Sequence, residues 1–512
     1  MGLREGYRAF NTALDLLYKN ETLNLADKKP FKFKDKVFLD AAQKVYDEGG
    51  FDLPLMNTPE AKAVIAETAR ILSEAISSGI PHEVPATLRY ALENNAFIFS
   101  GFKTFHSLRE VGLSMVTEKG SVKPFEEFLV DVKKVNEKYN QNYLYAEYNH
   151  AVGTSLMAVK WNDFTQDGDR YNLQYRTAGD DRVREEHAAL HGITLPINDP
   201  FWDKYFPPNG WNCRCTAVQV RKNKYPTSDP AKAMEAGDNC TSGIKREMFR
   251  YNPGKTMELF PPKHPYKKVP KAAKKVIEKL SEEELKEKRI SELRSMLPDN
   301  LSSQEKDAKA ANNYDIETML GIKINKPMSV EEADKQSANP HYKDNYFYQI
   351  NCQTCSPAYA LRLMGFDVTA KANTRGSLSE YLSRQRSFEA WTNIDGSPSV
   401  PTLTFDWMIS KGYKQMSPKR YKEYFQEACP ETGVYILTIG WKGGGGHATI
   451  LQRFPNGELK YIEPQVYSES IGAKRGIDEL CNAGGAKPYP KRGILRVDNK
   501  LFNTKFISIF DK

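Results

Sequence analysis

The chain has 512 residues and a net charge of +8, with 40% apolar and 27% charged residues. This length exceeds one ordinary hydrophobic core and predicts about three domains, each able to bury its own interior. The low hydropathy and the short apolar runs exclude a membrane-spanning helix, so we expect a soluble protein with no membrane partner. The modest positive charge suits contact with an acidic protein surface or with a nucleic acid.

Cysteine usage and the first residues indicate the compartment. Seven cysteines, an odd number scattered along the chain, argue against a disulfide scaffold. They favour a reducing compartment, or metal-binding and catalytic thiols. Residues 1–6 lack an apolar export segment, and Gly6 stands where a myristoylation signal has Ser or Thr. We therefore expect no targeting signal.

The N-terminal part, up to about residue 165, has the apolar spacing of helices. Apolar residues recur at helical intervals over 61–76 and again over 125–135. From Tyr175 to Val220 the pattern changes to a short helix, loops rich in Pro and Gly, and an apolar final segment. This pattern predicts a compact α+β unit after a mostly helical region.

The remaining chain divides by composition. Residues 222–326 are rich in Lys, Glu and Pro and predict a charged helical linker, with a nucleic-acid-binding arm as the alternative. Aromatic and β-branched residues become frequent again over 327–512, which predicts a last domain. The fold class expected for the whole chain is α+β and multidomain.

Blocks of uncommon residues stand within 143–220. They are Tyr175-Arg176-Thr177-Ala178-Gly179-Asp180, Val183-Arg184-Glu185-Glu186-His187 and Pro207-Pro208-Asn209-Gly210-Trp211-Asn212-Cys213-Arg214-Cys215. In this order they resemble the phage Mu gpF-like head morphogenesis family, the minor head proteins. The resemblance implies that residues 1–221 form a minor head region, with 143–220 as its motif core. Its partners would be the portal and capsid proteins of a phage or prophage particle.

Two histidines and two cysteines of this core suggest a metal site. His187 and His191 lie four residues apart, on one face of a helix, and Cys213 and Cys215 could complete a Cys₂His₂ zinc set. A buried thiol pair beside a hydrogen-bonded helix histidine would give the same pattern. The Cys-x-Cys spacing is also tighter than the usual Cys-x₂-Cys. Both interpretations stay open.

The last domain carries Cys352, then His447, then Glu463 and Gln465. Cysteine, histidine and then a carboxylate or amide is the order of residues in papain-like cysteine enzymes. Pro357 limits how early the surrounding helix can begin, which places Cys352 at its N-terminus. There the helix dipole and free backbone N–H groups would stabilise a thiolate and hold an oxyanion.

The other cysteines of the last domain are weaker candidates for the nucleophile than Cys352. Cys355, one turn further along the helix, is expected to pack in the core and is the lesser candidate for the nucleophile. Cys429 and Cys481 lie near no motif and are expected to be ordinary buried residues. The structural alternative is that Cys352 and Cys355 are both inert core thiols.

The hairpin register decides which residue can orient the imidazole. Apart from His341, in a polar loop, His447 is the only histidine after residue 264, and it follows a run of glycines, 443–446. A three-residue loop, Pro455-Asn456-Gly457, would set His447 opposite Gln465 and would place Glu463 on the same face. A two-residue Asn-Gly loop would move both candidates to the other face.

Several blocks of this domain resemble the papain-fold toxins of bacterial polymorphic toxin systems, proposed to be glutamine deamidases. The blocks are Ala338-Asn339-Pro340, Asn351-Cys352, Leu361 to Ala370, Gly446-His447-Ala448 and Glu463-Pro464-Gln465. The resemblance implies a papain-like fold, with a helix packed on an antiparallel sheet, and no required cofactor. The family usually has Asp where this chain has Glu463, so Gln465 stays an alternative orienting residue.

Together the two resemblances predict a minor head protein with a cysteine-dependent effector domain. The expected reaction is deamidation of glutamine in a host protein, and an immunity protein is a possible further partner. The alternatives are a cysteine peptidase, a transglutaminase-like enzyme, or a structural head component with an inactive adaptor domain. The expected location is the virion or the bacterial cytoplasm, with the effector domain acting in the cytoplasm of a target cell.

Overall fold

The computed structural model describes residues 3–19, 30–118, 120–167, 170–243, 245–335, 337–440, 445–466 and 491–511. The chain divides into two compact units, unit 1 (residues 1–285) and unit 2 (residues 286–512). Among the helices in the described ranges, none is long and apolar enough to cross a membrane.

In its described residues, unit 1 is mainly helical up to residue 166 and mixed thereafter. Its elements are α1 Leu3–Leu17, α2 Asp35–Asp47, α3 Pro59–Gly79, α4 Ala86–Ser114, α5 Phe125–Asn136, a π-helical segment Glu137–Tyr143, α6 Leu144–Gln166, β1 Tyr171–Arg176, α7 Glu185–Ala188, β2 Thr194–Pro196, α8 Phe201–Tyr205, β3 Thr216–Arg221, α9 Pro230–Cys240 and α10 Pro253–Thr256. The two helices predicted from apolar spacing are therefore confirmed as α3 and α5.

Helix α3 shows how local sequence sets these elements. The Thr58 side chain accepts the Ala61 N–H at 3.3 Å, and Pro59 occupies the first helical position, where its missing N–H costs no hydrogen bond. The apolar face of α3 packs against α4 and α6. This packing forms the larger core of unit 1.

A second core surrounds the small sheet of unit 1, whose antiparallel strand order is β2-β1-β3. Trp161 of α6, Tyr175 of β1 and Trp202 of α8 are buried there with Ala217 of β3. The α+β unit expected between Tyr175 and Val220 is thus present, and α6 closes one side of its core.

The segment predicted to be a charged linker has buried positions in both units. Within 222–285, Phe249, Phe260 and Ile277 lie in the larger core of unit 1. The boundary between the units falls inside α11 (Lys271–Ser295). The next helix, α12, buries Ile316 in the core of unit 2. These helices are rich in lysine and glutamate and carry few apolar residues. Those apolar residues lie on the buried face of each helix, so they are enough to pack it against a core.

Unit 2 combines helices with a central sheet. Its elements are α12 Ser303–Leu320, α13 Val330–Lys335, α14 Tyr346–Gln349, α15 Cys352–Leu363, β4 Thr369–Ala370, α16 Leu378–Ser383, β5 Trp391–Thr392, β6 Thr402–Leu403, α17 Thr404–Ser410, α18 Pro418–Ala428, β7 Gly433–Gly440, β8 Gly446–Arg453, β9 Leu459–Ile462, β10 Gly493–Arg496, β11 Leu501–Phe502 and β12 Phe510–Asp511. The α+β class expected for the chain is therefore confirmed.

The main sheet of unit 2 has the order β6-β10-β7-β8-β9, with every neighbouring pair antiparallel. Alternate residues of β7 face different cores: Ile436 packs in the core that includes residues of α15, whereas Leu437 packs in the core that includes residues of α17 and α18. Helix α15 packs against β8. This packing brings the first residue of α15 to the start of β8.

Candidate active site and candidate metal cluster

Cys352 is the first residue of α15. The preceding Asn351 caps the helix with its backbone, because its C=O accepts the N–H groups of Thr354 at 2.8 Å and Cys355 at 3.1 Å. Pro357 lies in the second turn, one turn further in than expected, yet the helix still begins at Cys352. The Cys352 side chain is only 8% exposed. The thiol therefore stands at the positive end of the helix dipole in a nearly closed site.

His447, the second residue of β8, lies between two partners. Its Nε2 is 2.6 Å from Oε2 of Glu463, and Cys352 lies close enough to the ring to help raise the pKa of His447. Since Nε2 faces the carboxylate, Nδ1 is the ring nitrogen available to the thiol. Cys352, His447 and Glu463 are thus brought together in the order that nucleophile activation requires.

Glu463 is held by more than the imidazole. The Tyr461 hydroxyl donates to Oε2 at 2.7 Å, and the Gln465 backbone N–H donates to Oε1 at 3.1 Å. Each carboxylate oxygen therefore has a donor besides His447, which fixes the plane of the carboxylate and, through it, the imidazole. Tyr461 was not among the predicted residues. Its position two residues before Glu463, the spacing of side chains on one face of an extended chain, is the signal that could have found it.

Gln465 has a different set of contacts. Its side-chain amide donates to Oδ1 of Asn351 at 3.4 Å, and its carbonyl accepts from Nδ2 of Asn339 at 3.0 Å. The Asn339 and Asn351 side chains also bond each other. This buried amide network joins three of the separate sequence blocks beside Cys352. Gln465 therefore contacts this network and the Glu463 carboxylate, which places it beside the residue that precedes Cys352.

The hairpin between β8 and β9 has the three-residue loop. The Phe454 N–H donates to the Glu458 carbonyl at 2.8 Å, and Gly457 has a φ of +82°, in the left-handed region. Within the strands, Ile450 pairs with Ile462. This is the register that the three-residue loop predicts, and if it continued three residues outward, beyond the end of β9, it would set His447 opposite Gln465. The side chain that reaches the imidazole is nevertheless Glu463, diagonally across.

Charge interactions shift the pKa values of His447 and Glu463 in opposite directions. Burial disfavours the imidazolium, but the Glu463 carboxylate and the hydrogen bonds with Cys352 and Glu463 outweigh it and raise the pKa of His447 to about 10. Burial also disfavours the charged Glu463, but His447, Tyr461 and the Gln465 N–H lower the pKa of that carboxyl below its ordinary value. Both changes favour an imidazolium–carboxylate pair, the state that accompanies a cysteine thiolate.

The other cysteines and His341 lie in different surroundings. Burial, and the proximity of Cys352 and Glu463, raise the pKa of the Cys355 thiol well above its ordinary value, and that thiol donates to Oδ1 of Asn351 at 3.1 Å. Cys429 is fully buried, and burial raises its pKa to about 12. His341 is exposed and contacts Asp344 at 2.7 Å. Cys481, Gly443 and Gly444 lie outside the described residues.

The second cluster lies in unit 1. His187 Nδ1 is 3.4 Å from the Cys215 sulfur and 3.5 Å from the Cys213 sulfur. The three ligand atoms all lie within 4.8 Å of one another. His191 does not join them: α7 ends at Ala188, so the two histidines do not share a helical face, and His191 Nδ1 is 2.9 Å from the Thr177 hydroxyl. The structure therefore assembles three of the four predicted ligands.

Comparison with known proteins bears on this part of unit 1. The family described as "Phage Mu protein F like protein" matches residues 122–218. The putative capsid assembly protein F of Escherichia phage Mu is 41% identical over 69 residues, which are 13% of this chain and 16% of that protein. The chain contains a phage Mu protein F-like domain. The Mu-like prophage FluMu F protein of Haemophilus influenzae is also 41% identical over 69 residues, 12% of this chain and 17% of its own.

The Mu F-like domain runs from α5 to β3, with α6 and the three-stranded sheet as its main elements. The aligned segment spans about a sixth of the length of either curated relative. No solved structure matches the chain. His187, Cys213 and Cys215 all lie inside the Mu F-like domain, whereas the Cys352 site lies outside it, in unit 2.

Thiol reactivity gives a direct test of Cys352. We expect iodoacetamide at neutral pH, with a chelator present, to label Cys352 faster than the other six cysteines, because it stands at a helix N-terminus beside a histidine base. Cys213 is the matched control, since its side chain is the more exposed of the two. Peptide mass spectrometry over time gives both rates. The rate at Cys352 should fall in His447→Ala, and labelling in order of exposure alone would contradict activation.

The His447–Glu463 pair should also make the stability of unit 2 depend on pH. Because the pKa of His447 is raised to about 10, its contribution is complete below 6.5 and is lost as pH rises through about 10. Because the pKa of Glu463 is lowered, its contribution is present above 4.5 and is lost as pH falls further. The difference in unfolding free energy between wild type and His447→Gln should therefore be largest between pH 4.5 and 6.5. Urea unfolding read by hydrogen exchange in β8 and β9 measures it; a difference that stays constant up to pH 10 would contradict the pairing.

Proposed function

We propose that this protein is a phage head-assembly component whose unit 2 is a cysteine-dependent amidase acting on glutamine side chains of a protein. The Mu F-like domain supports the head-assembly part, since a capsid assembly protein shares it. The amidase part rests on one observation: Cys352, at the start of α15, lies beside His447, which is oriented by Glu463. Portal and capsid proteins are the proposed partners of unit 1.

The reaction follows from the positions of these three residues. The Cys352 thiolate attacks the carboxamide carbon, and His447, which holds the thiol proton, gives it to the departing ammonia. A water molecule that loses a proton to His447 then hydrolyses the thioester and leaves a glutamate side chain. Glu463 keeps the imidazole in place and stabilises its charged form throughout. No step uses a metal ion or an organic cofactor.

Gln353 is the proposed side-chain donor to the oxyanion. Its Nε2 lies 3.9 Å from the Cys352 sulfur, and its Oε1 accepts a hydrogen bond from the Ser387 hydroxyl. The second contact fixes which end of the amide faces the thiol. A donor beside the nucleophile can stabilise the negative oxygen of the tetrahedral intermediate, together with N–H groups of the first turn of α15. Its place directly after the nucleophile is the sequence signal for this residue.

Mass spectrometry of proteins exposed to the full chain tests the activity. We expect Gln-to-Glu changes in a small set of host proteins, and their loss with Cys352→Ala. New chain termini would instead indicate a peptidase, and glutamine–lysine cross-links a transglutaminase-like enzyme. Identical spectra for wild type and Cys352→Ala, with a folded protein, would leave unit 2 as an adaptor. A protein that binds unit 2 and blocks the changes would be the proposed immunity partner.

Sedimentation tests the head-assembly part separately. We expect the tagged full chain to co-sediment with heads assembled from the portal and capsid proteins of the same phage. Cys352→Ala should co-sediment equally, because the Mu F-like domain is in unit 1. A truncation that keeps residues 1–295, through the end of α11, should also be retained. If only variants with unit 2 co-sediment, unit 1 is not the head-binding part.

A further inference from the structure

The Mu F-like domain holds a group of sulfur and nitrogen atoms that the proposed amidase does not use. His187 Nδ1 lies 3.5 Å from one sulfur, of Cys213, and 3.4 Å from the other, of Cys215. Zn–N bonds of about 2.0–2.1 Å and Zn–S bonds of about 2.3 Å place tetrahedral nitrogen and sulfur ligands about 3.5 Å apart. The spacing of these side chains is therefore the spacing of zinc ligands.

The conformation of the chain between the two cysteines directs both thiols toward His187. Arg214, which stands between them, forms a two-point ion pair with Asp180, with nitrogen–oxygen distances of 2.5 and 2.6 Å. This pair holds the intervening side chain at the exposed side. Cys213 and Cys215 both contact His187, which α7 supplies from another part of the domain.

A third thiol lies beside this group. Cys240, the last residue of α9, is fully buried and interacts with His187, but its sulfur is not among the ligand atoms that all lie within 4.8 Å of one another. It also lies in the same buried core as Cys215. The sequence pattern suggested His191 for the fourth position, but Cys240, which comes from the segment predicted to be a linker, is the thiol that the fold places beside His187. Three cysteines and one histidine are a common structural zinc set.

We propose that His187, Cys213 and Cys215 bind a structural zinc ion, and that the Cys240 sulfur moves in as the fourth ligand when the ion is bound. Thiolates and imidazole select zinc over magnesium or calcium, which prefer oxygen ligands. A pocket of about 630 Å³, lined by His187, Cys213 and Cys215 among others, gives the ion a path to the cluster. The ion ties α7, the segment before β3 and the end of α9 to one point. Zinc therefore stabilises the Mu F-like domain.

Metal analysis of the full chain, purified without chelator from zinc-supplemented medium, tests the proposal. We expect about one zinc ion per chain. Replacement by Co²⁺ should give the visible bands of tetrahedral cobalt together with thiolate-to-cobalt charge-transfer absorption. This readout needs no variant, so it is independent of any folding defect. A chain that is folded by circular dichroism, contains no zinc and gives no such bands with Co²⁺ would overturn the proposal.

Variants assign the ligands. Zinc content should be lost in His187→Ala and Cys213→Ser and strongly reduced in Cys240→Ser, whereas His191→Ala and Cys429→Ser, the matched controls, should keep it. Removing zinc from wild type with a chelator should lower the melting temperature of unit 1 and leave Cys352 labelling unchanged. Wild-type zinc affinity in Cys240→Ser would overturn the assignment of Cys240, and full zinc content in Cys213→Ser would overturn the site.

Discussion

Deamidation should fall to background in Cys352→Ala and by about 10⁴-fold or more in His447→Ala, because nucleophile and base act as one unit. Both changes leave the amide network beside the site in place. Turnover of a substrate protein, once identified by its Gln-to-Glu changes, is followed by mass spectrometry. Cys355→Ala is the matched control, since it removes a thiol one turn away and should keep turnover. If turnover were lost in Cys355→Ala and kept in Cys352→Ala, Cys355 would be the nucleophile instead of Cys352.

The orienting residue is decided by a second pair of variants. Glu463→Gln should reduce turnover by a smaller factor than His447→Ala, because thiol and base remain while the charge that stabilises the imidazolium is lost. Gln465→Ala should have the smallest effect, since the Gln465 side chain bonds Asn351. Full activity in Glu463→Gln with loss in Gln465→Ala would make the triad Cys352, His447 and Gln465.

The largest change in stability is expected from Lys103→Met in unit 1, at about 3–5 kcal/mol of unfolding free energy. Lys103 and Glu147 form an ion pair whose side chains are 1% and 0% exposed. Glu147 also accepts the Tyr18 hydroxyl at 2.8 Å, and that hydroxyl lies 3.1 Å from His264 Nε2. Burial lowers the pKa of Lys103 and raises that of Glu147. Removing one partner leaves the other charge buried without compensation.

Urea unfolding of unit 1 measures this free energy, and two further variants show whether the buried charge is the cause of the loss. The double variant Lys103→Met with Glu147→Met should recover much of the loss, because no uncompensated charge remains. Lys36→Met is the matched control: its exposed pair with Asp40 should contribute less than about 1 kcal/mol. Equal effects of Lys103→Met and Lys36→Met would show that burial of the charge is not the cause.

Local features of both units could be predicted because neighbouring residues decide them. Apolar spacing located α3 and α5, and Cys352 opens α15 as predicted, although Pro357 lies one turn further into the helix than expected. The loop Pro455-Asn456-Gly457 set the hairpin register through Gly457 in the left-handed conformation. In each case the decisive interaction spans only a few residues.

The sequence by itself therefore determined where the helices lie, where Cys352 stands and how β8 pairs with β9. The tertiary structure decided what meets across the chain: Glu463 rather than Gln465 at the imidazole, and Cys240 rather than His191 beside His187. It also decided that helices rich in lysine and glutamate have buried faces. The physical reason is that such contacts depend on how whole elements pack. The twist of a strand, or a helix that ends one turn early, changes which side chain reaches a site. Neither feature can be predicted from the spacing of residues in the sequence.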